Sequence, residues 1–154
     1  MRQVILAVAF VAVCVSCNKN KYTTAPQIKF KSITPSFSQL NTNVLESPIL
    51  TIEVTDAEGD IGFKDGKDTS YVYVKNLTIA PFRLDSLKFP KTLSAVAGKD
   101  FKADVDIAIR SLLASSNRTP PFTDSLFFEV YVKDFAKHKS NVIKTDKPLL
   151  FFRP

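Results

Sequence analysis

Asp56, Glu58 and Asp60 stand at alternate positions in the segment Thr55–Gly62 (TDAEGDIG). Asp65 and Asp68 follow closely, with Gly59, Gly62 and Gly66 interspersed. Ca²⁺ takes about six to eight oxygen ligands from flexible loops, and carboxylates two residues apart converge when the chain curls. Asp134 joins the candidate set from a distant hairpin if the two loops share one end of the domain. An EF-hand is excluded: counted from Asp56, the Gly position holds Ile61 and the final Glu position holds Lys67. The competing reading is a plain acidic turn, in which Asp and Gly bend the chain and carboxylates cap backbone N–H groups. Spacing leaves both open: a Ca²⁺ site at Asp56, Glu58, Asp60 and Asp134, or a turn.

Other reactive types are sparse. His138 is the only His and is flanked by Lys137 and Lys139 in an expected exposed turn. No carboxylate is assigned to orient it. No Ser stands in a G-x-S-x-G elbow. Asp104 and Asp106 mimic a carboxylate pair, but they alternate onto the solvent face of a strand, and glycosidase carboxylates need a cleft. The expectation is a non-enzymatic protein. Tyr71 and Tyr73 share one strand face and form a candidate ligand-binding pair on which a sugar could stack. With thirteen Phe and no Trp, most other aromatics are assigned to the core.

The elements that must position these residues begin with a leader. Arg2 precedes Val4–Val15, a run of twelve residues without a charge. That length suits an export signal and falls short of the about 20 residues a membrane span requires. The small residue Ser16 then precedes Cys17. The pattern resembles a bacterial lipoprotein signal, which implies cleavage before Cys17 and acylation (palmitate among the chains) of its sulfur. Cys14 stands where such signals usually carry Leu. The expected organisation is a signal peptide at 1–16, a lipidated Cys and polar tether at 17–26, and one domain at 27–154.

Two Cys in 154 residues, Cys14 and Cys17, leave the body without a disulfide or a cysteine metal site. The net charge of +6 becomes +5 once Arg2 is removed with the leader. Residues 46–68 hold seven acids and two Lys, whereas residues 69–154 hold fourteen bases and eight acids. A pI of about 9.3 raises nucleic acid as a partner. Export and the alternation of basic residues along strands argue against it.

Period-two patterning dominates the body and predicts an all-β fold. Gln27–Thr34, Pro48–Asp56, Ser70–Asn76, Arg83–Phe89, Phe101–Ile109, Leu126–Asp134 and Asn141–Phe152 read as strands, the last broken near Pro148. Ser70–Asn76 has the composition of a central strand, and Arg83–Phe89, bounded by Pro81 and Pro90, that of an edge. About seven strands with turns between them predict a single antiparallel immunoglobulin-like β-sandwich, with a closed barrel as the alternative.

Val132–Thr145 (VKDFAKHKSNVIKT) resembles the last hairpin of bacterial Ig-like domains of fibronectin or cadherin type, with the pattern V-x-D-x-A-G-N-x-S-N-x-V-x-T. Lys137-His138 replaces the usual Gly-Asn, so the tight turn there lacks its usual residue. With the leader and the D-x-E-G-D-I-G segment, the chain resembles small lipoproteins of Bacteroidetes-type bacteria. The resemblance implies an outer-membrane lipoprotein of the cell envelope, and the absence of acids just after Cys17 favours the periplasmic side. It implies a binding or structural module for an envelope protein or glycan. Alternatives are an accessory carbohydrate-binding lipoprotein of an outer-membrane uptake system and a Ca²⁺-stabilised adhesion-type domain.

Overall fold

A computed structural model describes residues 21–39, 47–63, 69–90, 100–110, 113 and 118–154. The leader, Cys17, Asp65 and Asp68 lie outside the described residues. Ten strands form: β1 Gln27–Thr34, β2 Phe37–Gln39, β3 Ile49–Asp56, β4 Tyr71–Asn76, β5 Leu84–Lys88, β6 Phe101–Ala108, β7 Phe122–Leu126, β8 Phe128–Lys133, β9 Ile143–Lys144 and β10 Leu149–Arg153. No α-helix occurs among the described residues.

Alternation dictates the layers. Leu50, Ile52 and Val54 of β3 and Val105 and Ile107 of β6 point inward from a sheet ordered β1-β3-β6. Val72 and Val74 of β4 and Phe128, Val130 and Val132 of β8 point inward from a sheet ordered β5-β4-β8-β9. All belong to one core cluster, so the chain is a β-sandwich. Fully burying such side chains contributes about 1.5–3 kcal/mol each. A third sheet is ordered β2-β10-β7. Only Phe127 separates β7 from β8, and there the chain changes pairing partner from β10 to β4. Pairing is antiparallel apart from β2 with β10, which run parallel.

Strand number is the correction. The expected seventh strand divides into β9 and β10, and Leu126–Asp134 is preceded by a separate β7 reaching back to Phe122. β7 hides in the sequence because its inward position is Asp124, whose carboxylate meets Arg153 Nε at 3.4 Å and Arg118 Nη1 at 3.3 Å. β2 has only three residues and carries no apolar alternation. β4 is central and β5 is an edge strand, as their compositions predict.

The S-N-x-V-x-T end of the last-hairpin motif has a structural explanation. The Ser140 hydroxyl accepts the Val132 N–H at 3.0 Å, and the Thr145 hydroxyl accepts the Phe128 N–H at 3.1 Å. Asn141 reaches across the sandwich edge to β1. Its Oδ1 accepts the Ile28 N–H at 2.7 Å, and its Nδ2 donates to the Ile28 carbonyl at 3.0 Å. One side-chain amide thus replaces a missing strand neighbour. Asn141→Ala should destabilise the protein by about 1–2 kcal/mol in urea unfolding, because both Ile28 groups lose their partner. Replacing the exposed neighbour Val142 by Thr should leave the midpoint unchanged.

Candidate functional site

Inward alternation along β3 runs Ile52, Val54 and then Asp56, so the strand delivers a carboxylate to the interior. Along β8 the same alternation runs Val130, Val132 and then Asp134. Both Asp residues are fully buried. After β3 the chain curls: Gly59 has φ 68° and Gly62 has φ 129°, a region that a Cβ disfavours. The Gly59 N–H donates to Asp56 Oδ2 at 2.7 Å, and Ile61 anchors the loop in the core. The Phe135 N–H donates to the Asp60 carbonyl at 2.9 Å, which seats this loop against the turn after β8.

One carboxylate oxygen from each of Asp56, Asp60 and Asp134 falls within 4.8 Å of the others. Glu58 lies outside this group. Ala57 and Gly59 on either side of it are buried, and Glu58 itself is exposed. Asp56 Oδ1 and Asp60 Oδ1 are buried without a hydrogen-bond partner among the described residues. Burial, reinforced by the charges of Asp60 and Asp134 and opposed by the Gly59 N–H, pushes Asp56 up to about 6. Burial also raises Asp134, against the pull of its bond from the His138 N–H.

His138 does have a carboxylate. Its Nδ1 lies 3.0 Å from Asp134 Oδ2, and its backbone N–H donates to Asp134 Oδ1 at 2.8 Å. Lys137 takes φ 72°, so the turn closes in the geometry usually given to Gly, and the pair meets across it. The D-x-x-x-H spacing was the available signal. A nucleophile for this pair is not at hand in Ser140, whose hydroxyl is held by the Val132 N–H and the Asn141 carbonyl.

Tyr71 and Tyr73 lie on the outer face of the β5-β4-β8-β9 sheet, both half-buried. Their centroids are 6.4 Å apart, but the closer partner of Tyr73 is Tyr131, directly opposite on β8. Those two rings stack at 4.6 Å and 7°. Lys139 Nζ lies 4.2 Å from the Tyr131 centroid and Lys133 Nζ 5.4 Å from that of Tyr73. Sequence reasoning missed Tyr131 because register across strands, not spacing along one, creates the row. Lys75, Lys88, Lys133 and Lys144 pair into the same face, with Glu129 as the acid among them. The other outer face is charge-balanced. There Glu53 meets Lys102 at 2.9 Å and Lys31 at 3.8 Å, Lys31 also meets Asp104, and Asp106 accepts the Thr51 hydroxyl. Asp104 and Asp106 are accordingly surface partners of neighbouring strands.

Compared with known proteins, the chain matches no family model, no curated protein and no solved structure. The geometry therefore carries the functional reading.

The raised Asp56 sets a pH dependence in the presence of chelator. Folding favours the protonated acid, so its stabilising effect is complete below the unfolded value near 3.8 and is lost as pH rises through about 6. Asp56→Asn removes this titration. Its stability relative to the parent should grow between pH 4 and pH 6.5, which thermal melts across that range would measure.

Proposed function

We propose that the protein is a lipid-anchored, non-enzymatic binding module of the bacterial envelope whose outer sheet face binds an acidic glycan. The observation that carries this reading is the Tyr71–Tyr73–Tyr131 row with lysines set around it on one face. Sugar stacking needs a free ring face. Tyr73 and Tyr131 cover each other on one side, and Lys139 covers Tyr131 on the other. Such a row offers ammonium groups and ring edges rather than a bare platform. Ammonium groups recognise carboxylate, sulfate or phosphate substituents, and closely spaced positive charges raise the local concentration of a polyanion. The paired charges of the opposite sheet leave this face as the basic one. The anchor rests on the leader and Cys17.

Two measurements test the reading. The full chain, purified from membranes in detergent, should bind a polyuronate or sulfated polysaccharide and not neutral dextran, with affinity falling as salt rises. Reversing Lys133 and Lys139 to Glu together should weaken binding by about tenfold or more. Equal binding of the neutral glycan, or an unaffected double variant, would sink the proposal. For the anchor, Cys17→Ala should move the protein from the membrane to the soluble envelope fraction. Retention in the membrane would rule out lipid on that sulfur.

A further inference from the structure

Two carboxylate oxygens at one end of the sandwich have no partner. Asp56 is fully buried, and its Oδ1, like Asp60 Oδ1, accepts no hydrogen bond among the described residues. Leaving a buried polar atom unsatisfied is costly, and more so for a charged group. No described Lys or Arg forms an ion pair with Asp56, Asp60 or Asp134. His138 engages both Asp134 oxygens, Oδ2 through its ring and Oδ1 through its backbone N–H, each by one lone pair. A carboxylate has about four lone-pair sites, so Asp134 can hold His138 and still offer an oxygen to the group.

We propose that Asp56, Asp60 and Asp134 bind Ca²⁺, which clasps the end of β3 to the turn that follows β8. The donor set decides the ion class. Oxygen donors from carboxylates suit hard cations, and with no thiol or imidazole in the group it is a poor site for zinc or copper. The donors come from the end of a strand, the loop after it and a turn, an irregular set that suits Ca²⁺ better than the strict octahedron of Mg²⁺. Waters and nearby carbonyls complete the coordination. Unlike the regular acidic spacing, which enlists Glu58, this site leaves Glu58 out.

The site also reaches toward the N-terminal side. The Ala57 N–H donates to the Thr23 carbonyl at 3.1 Å, so the loop that carries Asp56 and Asp60 holds the segment leading in from residue 21. Ca²⁺ there fixes three pieces of chain: the β3 loop, the β8 turn and the end of the tether.

Thermal melts of the full chain in detergent test the site, first with chelator and then with about 5 mM Ca²⁺. Ca²⁺ should raise Tm by roughly 5 °C or more, and Mg²⁺ by less. Asp60→Asn, at a half-buried position, should raise Tm in chelator by relieving repulsion and should abolish the response to Ca²⁺. Asp56→Asn should do the same, and Glu58→Gln should respond like the parent. A parent protein that Ca²⁺ does not stabilise overturns the proposal. So does an Asp60→Asn protein that still responds in full, or a response lost in Glu58→Gln. A larger shift with Mg²⁺ than with Ca²⁺ overturns the choice of ion.

Discussion

The acidic end of this protein depends on two core strands that continue their inward alternation one step past the apolar residues. β3 and β8 each place apolar residues in the core and then an aspartate, Asp56 and Asp134, at the next inward position. An ionised carboxylate taken out of water is expensive unless something compensates it. Nearby features supply part of the compensation. Gly59 turns back to offer an N–H to Asp56, and the turn after β8 offers His138 to Asp134 through both backbone and ring. Lys137 accepts a left-handed backbone to close that turn. Such a conformation costs a non-Gly residue of order 1 kcal/mol, and the two bonds to Asp134 offset it.

A different solution appears where the third sheet joins. Asp124 also faces inward, but Arg153 and Arg118 meet it, and the Arg153 guanidinium lies 4.8 Å from the Phe151 ring. There the compensating charge comes from the chain itself. Among the described residues none supplies a positive charge to Asp56 or Asp60, and their unpartnered oxygens mark the difference. Asn141 solves the neutral version of the same problem, satisfying both backbone groups of Ile28 with one amide.

These polar compensations are what the sequence conceals. The strands with clean alternation, β1, β3, β4 and β6, are legible because each apolar side chain acts independently of its partners. β7 is not, since an Asp at a core position reads as solvent-facing until its arginine, far along the chain, is known. The acidic loop is visible as composition, yet its membership is not. Spacing nominates Glu58 equally with its neighbours, whereas the curl at Gly59 sends Glu58 outward and Asp60 toward Asp134. The tyrosine row shows the same limit. Tyr71 and Tyr73 share a strand and can be paired by eye, but Tyr131 is brought opposite Tyr73 only by the β4–β8 register.

One turn serves both surfaces. Asp134 faces the interior from its first residue, and just beyond His138 the chain pairs Lys139 with Lys133 on the outer face, where Lys139 lies over Tyr131. The position of Lys139 is therefore set by the same hydrogen bonds that hold Asp134, and the acid group and the basic face are mechanically joined through five residues. A cation held at the proposed site would offset the repulsion between Asp134 and Asp60 across this turn.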